Sequence, residues 1–370
     1  MSLPADEIDP GLDERLAAAT LDLVNIASVS DDEVAVLDRI LAELPTGFDV
    51  VDREDAVLFA VPSTRRSGAS FVVLAGHVDT VPHHGNFPGT RDDGAIVGRG
   101  AADMKGALAV MLETAASLAG HPAASDLDVG LLFFGREELP ITQSALLPLF
   151  DRCELTRSID LAIVMEPTAN AIEVGCLGNL NARVTVRGRT AHTARPWLGR
   201  NAIHAAIRAL APITGLPPND VEVDGLLFRE VVSVTAIEGG IAGNVVPDRV
   251  EATVNFRYAP TCTPGEAEAR LRELVATDDV EISVVGNAPP APVVVRNPLV
   301  ERLREAGDLA VGPKQAWTPV AEFATIGVDA VNFGPGDPQY AHRDDERVAI
   351  EALVRSYQVL RGFLADERAS

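Results

Sequence analysis

Six side chains suited to binding metal or moving protons each follow a short apolar run. His77 and Asp79 close "FVVLAGHVDT", Glu137 and Glu138 close "VGLLFFGREE", Glu166 follows "LAIVM", and His342 ends "AVNFGPGDPQYAH". Two apart on a strand, His77 and Asp79 face the same way. A metal-bound histidine donates its other ring N–H to a carboxylate, and Asp79 is placed to orient His77 in this way. Glu137 and Glu138 are consecutive and point different ways, so one can bind a metal while the other holds a proton. Asp103 stands just before a helical stretch, where it reads either as a helix N-cap or as a ligand. Together His77, Asp103, Glu138, Glu166 and His342 supply two imidazoles and three carboxylates. A catalytic zinc takes three protein ligands and a water, so this set is too large for one ion. It suits two ions about 3.5–4 Å apart that share a carboxylate. The mixed nitrogen and oxygen donors favour two zinc ions, with cobalt or manganese as substitutes. Three carboxylates, two divalent ions and a bridging hydroxide sum to zero charge. Glu137 is left as the general base, a task that needs its pKa raised towards neutrality.

Such side chains need a scaffold that brings chain-distant residues together. Unbroken apolar runs read as strands buried on both faces of a mostly parallel sheet. Between the first two runs lies "DMKGALAVMLETAASLA", where Leu108, Met111, Leu112, Ala115 and Leu118 recur at helical spacing. The alternation predicts an α/β layer with helices flanking the sheet. Ligands of open α/β sheets bind beyond the carboxyl ends of the strands, where all four polar clusters lie. The middle of the chain differs. "LNARVTVRG" alternates like a half-buried strand, and a strand–helix–strand–strand–helix–strand order follows, up to "VEISVVG". That order predicts a ferredoxin-like α+β insert. Gly- and Pro-rich borders divide the chain into a discontinuous catalytic domain, 1–178 and 291–370, and an inserted lid or dimerisation domain, 179–290.

The 370 residues, 39.1 kDa, allow two or three domains. With 47% apolar and 23% charged residues the composition is that of a globular chain. The apolar runs fall far short of the roughly 20 residues a membrane helix needs. The N-terminal "MSLPADEIDP" lacks a signal-peptide pattern. Three cysteines, Cys153, Cys176 and Cys262, with no C-x-x-C pair, predict a reducing cytoplasm rather than a disulfide scaffold. A net charge of −23 disfavours nucleic acid and anionic membranes as partners. No phosphate-binding G-x-x-x-x-G-K-[ST] loop occurs.

The strings "GHVDTVP", "GRGAADMKG", "GREELP", "VMEPT", "RGRTAHTARP" and "YAHRDDERV" resemble the aminoacylase/carboxypeptidase family of di-zinc amidohydrolases. Within it the likeness is greatest to the branch that removes succinate from N-succinyl-LL-2,6-diaminopimelate in lysine and diaminopimelate biosynthesis, the actinobacterial kind especially. The resemblance spans nearly the whole chain. It implies that His77 and Glu166 hold one zinc, Glu138 and His342 the other, and that Asp103 bridges them and precedes a cis peptide. It implies that Asp79 orients His77 and that Glu137 activates the attacking water. It implies a homodimer in which His192 of the smaller domain reaches the partner subunit's site and polarises the scissile carbonyl, an oxyanion-type role. Asn244, Arg257 and Thr318 are placed as substrate-binding residues. His83, His84, His121 and His204 match no ligand position and read as surface or packing residues.

One segment departs from the pattern. Desuccinylases of this kind read "WTDVARF" or "GTSDGRF" where this chain has "WTPVAEF", with Pro319 for the aspartate and Glu322 for the arginine. An anion in place of a cation is expected to repel an acidic substrate and tolerate a basic one. That keeps acetylornithine deacetylation, or hydrolysis of another N-acyl amino acid or peptide, as an alternative with the same ligands. A non-catalytic binding scaffold is a more distant one.

Overall fold

The computed structural model describes residues 9–120, 125–275 and 280–365. By their contacts they group into two compact units. The first comprises the chain up to Val174, Val294–Gly312 and Thr318 onward; the second comprises Gly175–Val293 and Pro313–Trp317.

The first unit is built on an eight-stranded sheet. Its strands Asp128–Phe134, Phe71–His77, Leu161–Val164 and Ala330–Asn332 are adjacent in that order and parallel to one another. On one side of this parallel block, Val57–Pro62 and Phe48–Asp52 add antiparallel pairs; on the other, Ile172–Val174 pairs antiparallel with Ala330–Asn332. Every residue of Phe71–His77 and of Asp128–Phe134 is buried, so both faces of those strands are covered. Helices Leu12–Val24, Gly106–Gly120, Pro298–Gly307 and Ile350–Leu364 pack on one another, and Gly106–Gly120 also packs against Phe71–His77. A small antiparallel sheet joins Arg347–Ala349, Ala95–Val97 and Thr90–Arg91.

The second unit holds a five-stranded antiparallel sheet in the order Asn219–Val223, Leu226–Gly239, Arg249–Tyr258, Gly178–Arg187, Val280–Ala288. Without the first of these, the other four strands and the helices Ala202–Thr214 and Pro264–Leu274 have ferredoxin-like order. Leu180, Ala182, Val184, Val186 and their neighbours Val250, Ala252, Val254 and Phe256 alternate inward to form the core with those helices. The strand Asn219–Val223 is additional to the pattern read from the sequence. Its signal is the Asp224-Gly225 pair, both with positive φ (48° and 81°), which closes a two-residue hairpin onto Leu226. The segment 313–317 returns to this unit: Gln315 hydrogen-bonds the backbone of Leu227 and Arg229, and Trp317 Nε1 donates to the Pro289 carbonyl.

Among the described residues no helix is long and apolar enough to cross a membrane. Cys153, Cys176 and Cys262 are free thiols.

Candidate metal centre

Seven of the residues singled out by spacing lie in the first unit. His77 is the last residue of its strand, Glu137 and Glu138 follow Phe134 after a tight loop, and Glu166 follows Val164. Asp103 is not an N-cap. It sits in a wide turn, Ala101–Lys105, with non-helical φ −126° and ψ 88°, and the helix begins only at Gly106. The Asp103–Met104 peptide is cis. Gly336 draws three segments together: a Cβ there would lie 2.2 Å from the Ala102 carbonyl oxygen and 2.9 Å from Pro167 Cβ. No larger residue allows the His342 loop to run so close to the segments carrying Asp103 and Glu166.

Asp103 stands between the two histidines. Its Oδ1 is 2.9 Å from His77 Nε2, and its Oδ2 is 3.4 Å from His342 Nε2. Glu166 Oε1 is 3.9 Å from His77 Nε2, and Glu138 Oε1 is 2.9 Å from His342 Nε2. His77, Asp103 and Glu138 offer ligand atoms that all lie within 4.8 Å of one another. The tautomer of His77 follows from its other nitrogen. Nδ1 is 3.0 Å from the backbone carbonyl of Asp79, with the Asp79 carboxylate farther off at 3.5 Å. A carbonyl only accepts, so Nδ1 carries the proton and a neutral His77 presents a lone pair at Nε2. The main-chain carbonyl thus fixes the ring more closely than the carboxylate expected to do so. Two imidazole Nε2 atoms and three carboxylates thus converge at separations of 2.9–3.9 Å. Cations resolve that arrangement, and the oxygen and nitrogen donors fit divalent transition metals.

Asp79 is fully buried. Its Oδ1 accepts the Glu137 N–H and its Oδ2 the Glu138 N–H, both at 3.2 Å, and the Ser30 hydroxyl donates to Oδ2 at 2.7 Å. Arg136, at φ 62°, turns the chain so that the two successive amides meet one carboxylate. Gly135 is needed just before it, because a Cβ there would lie 2.7 Å from Glu33 Cγ. Ser30 and Glu33 lie in the polar stretch "SVSDDE", which carries no motif that marks them as neighbours of the site.

The electrostatics follow from this crowding. Burial raises the Glu137 carboxyl well above the usual range, and the nearby Glu166, Glu138 and Asp103 charges push the same way. Burial also opposes ionisation of Asp103, but hydrogen bonds from His342 and His77 outweigh it and hold Asp103 well below the usual range. Hydrogen bonds to Asp103 and Glu138 push His342 up to about 10. A raised Glu137 among lowered or paired carboxylates is the pattern of a proton carrier beside a cation site.

The second unit carries His192, Asn244 and Arg257. His192 is exposed, and its Nδ1 accepts the Ala194 N–H at 3.0 Å, so a neutral ring presents an N–H at Nε2. The Thr193 N–H donates to the Asn244 carbonyl at 3.1 Å, tying the two loops together. Arg257 is half-buried; its Nε donates to Asn255 Oδ1, and among the described residues no carboxylate pairs with it. In the first unit Thr318 is buried where the chain enters the helix Val320–Thr325. Glu322 corrects the charge argument. It is 2% exposed, it accepts the Ser144 hydroxyl, and burial pushes its pKa up to about 7. It therefore does not present a free anion to solvent. His83, His84 and His204 are exposed, as expected of surface residues, and His121 lies outside the described residues.

The sequence profile described as Peptidase family M20/M25/M40 matches residues 73–366. A putative succinyl-diaminopimelate desuccinylase of Mycobacterium tuberculosis is 38% identical over 348 residues, covering 93% of this chain and 96% of the relative. A succinyl-diaminopimelate desuccinylase of Corynebacterium glutamicum is 35% identical over 370 residues, covering 97% and 99%. Among solved structures, aminopeptidase PepT of Bacillus cereus superposes with a TM-score of 0.78 at 19% identity, covering 95% of this chain and 98% of that one. The Bacillus subtilis YXEP protein, a dinuclear metal-binding peptidase of the M20 family, gives 0.71 at 16% identity, covering 96% and 98%. These two likenesses concern the fold.

Proposed function

This chain belongs to the M20/M25/M40 peptidase family, and from that membership we propose that it is a two-metal amide hydrolase that removes succinate from N-succinyl-LL-2,6-diaminopimelate. The observation that carries the chemistry is Asp103 set between His77 and His342, with Glu166 and Glu138 completing the two sides. His77 and Glu166 would hold one ion, His342 and Glu138 the other, with Asp103 shared. Zinc is the reading for both, and cobalt or manganese suit the same donors. Bound there, two divalent ions supply Lewis-acid polarisation of the amide carbonyl and ease deprotonation of water.

The protein's own groups do the rest. Glu137 takes a proton from the attacking water as its oxygen adds to the acyl carbon. It then delivers that proton to the amine nitrogen as the C–N bond breaks, releasing succinate and the free amine. A pKa raised by burial lets one carboxyl perform both transfers. His192, with its proton on Nε2, is suited to donate to the developing oxyanion, and Arg257 offers an uncompensated guanidinium to a substrate carboxylate, with Asn244 and Thr318 as further polar contacts.

The subunit arrangement is a homodimer built through the second unit. There the strand Leu226–Gly239 outruns its hairpin partner, which ends at Asn219 opposite Glu230. Beyond that point no strand among the described residues pairs with its outer edge, which carries the exposed Ile237. An open edge with an apolar side chain is a site for pairing with a second copy. The three free thiols fit a reducing cytoplasm.

The test is a side-by-side assay of the zinc-loaded protein on N-succinyl-diaminopimelate and N-acetylornithine. A higher kcat/KM for the succinyl compound is expected; a clear preference for acetylornithine would overturn the substrate assignment.

A further inference from the structure

Two motif residues remain outside the chemistry described above, Arg99 of "GRGAADMKG" and Glu346 of "YAHRDDERV". Both are buried, at 5% and 0% exposure. Arg99 Nη1 donates to Glu346 Oε2 at 2.7 Å. The other oxygen, Oε1, accepts the backbone N–H groups of Ala102 and Asp103, each at 3.2 Å. Arg99 Nη2 reaches the His342 carbonyl at 3.4 Å, and the Gly98 N–H donates to the Glu346 carbonyl at 2.9 Å. One ion pair therefore grips the main chain of two candidate ligands far apart in sequence.

The need for such a grip is local. His77 ends a fully buried strand, and Glu138 is tied by its amide to Asp79. His342 has no comparable anchor in regular structure. It lies in a loop at φ 64°, with its side chain 51% exposed. Asp103 occupies an irregular turn. Both are held by hydrogen bonds rather than by a strand. A buried charge pair is costly unless its hydrogen bonds are met; here Arg99 Nη2 and Glu346 Oε1 direct theirs to the backbone of His342, Ala102 and Asp103, while Arg99 Nε has no hydrogen-bond partner among the described residues.

We propose that Arg99 and Glu346 are positioning residues that hold Asp103 and His342 in register, so that loss of either weakens the metal position on the His342 side more than the other. This rests on the two-ion reading given above. The group affected is the His342 side, because His77 and Glu166 keep their own supports.

The test is titration of the metal-free protein with Co²⁺, followed by visible absorption and calorimetry, with folding checked by circular dichroism. Glu346→Gln leaves Arg99 facing an amide. Arg99→Lys keeps the charge but cannot reach both acceptors at once. In each, one of two equivalents is expected to bind about 10- to 100-fold more weakly, with an altered absorption band, while the other, which shares only Asp103, loses markedly less. Should Glu346→Gln fail to fold, Arg99→Lys carries the measurement. Unchanged binding of both equivalents, or an equal loss at both, overturns the positioning role. If the unmodified protein takes up fewer than two equivalents, the two-ion reading itself has failed, and that outcome is visible before any variant is examined.

Discussion

Asp79 accepts the main-chain N–H of Glu137 on one carboxylate oxygen and that of Glu138 on the other. A single buried anion thus fixes the loop on which the proposed base and a proposed ligand stand side by side, while its own carbonyl orients His77. Asp79→Asn should expose this arrangement. The new amide must turn its NH₂ towards one of the two backbone donors, leaving that N–H without an acceptor in a buried site. Metal affinity is expected to fall about 10- to 100-fold, and kcat with it. Ser30→Ala removes only the hydroxyl bond to the same carboxylate and should cost about 1 kcal/mol of stability. Equilibrium dialysis with zinc and denaturant melts check both; an Asp79→Asn protein with unaltered zinc affinity contradicts the role.

Glu137→Gln removes the proton carrier and nothing that holds a metal. Its zinc content should match that of the unmodified protein, while kcat falls by about 10²- to 10⁴-fold. Metal analysis together with steady-state kinetics decides it. Retained turnover would refute the base assignment, and lost zinc would move Glu137 into the ligand set.

Glu322 gives a stability prediction whose sign can be worked out. Burial raises its pKa from an ordinary 4.5 to about 7 in the folded protein. Between those values the native state keeps a proton that the unfolded chain releases, so stability falls as pH rises through that window. Above it the full shift corresponds to about 3 kcal/mol. Glu322→Gln keeps an oxygen for the Ser144 hydroxyl and has nothing to ionise. It should therefore melt higher than the unmodified protein near pH 8, with the difference nearly gone near pH 5. Parallel curves of Tm against pH for the two proteins would remove this account of Glu322.

These residues also show what a sequence reveals and what it hides. His77, Glu138 and Glu166 were legible because apolar strands end abruptly, and open α/β sheets gather strand ends in one place. Asp103 was legible as a residue but not in its setting, because a wide turn before a helix looks like a helix start. The strand Asn219–Val223 was missed although Asp224-Gly225 marked its hairpin; its own residues are mostly exposed and make a weak alternation. Arg99, Glu346 and Glu322 are charged residues in polar or mixed stretches, where exposure is the ordinary expectation. Their burial arises from contacts with residues distant in the chain, Asp103, His342 and Ser144, which no local pattern announces.

The homodimer reading places His192 in the partner's site, and mixing two inactive variants tests it. His192→Ala is expected to lower kcat about 10²- to 10³-fold by removing a donor to the oxyanion. Glu137→Gln is inactive for a different reason. In a mixed dimer the His192→Ala subunit contributes a site with an intact base, and the Glu137→Gln subunit contributes an intact His192. If the histidine acts across the interface, those two meet in one site. Random exchange between equal amounts should then restore about a quarter of the unmodified activity, half the dimers being mixed and one site in two repaired. If His192 acts within its own subunit, neither site of the mixed dimer is complete and nothing returns. Ile237→Asp, which puts a charge on the open strand edge, should shift the protein towards monomer in sedimentation and abolish that recovery. A mixture that stays dimeric yet recovers no activity would place the histidine in its own subunit's site and end the trans reading.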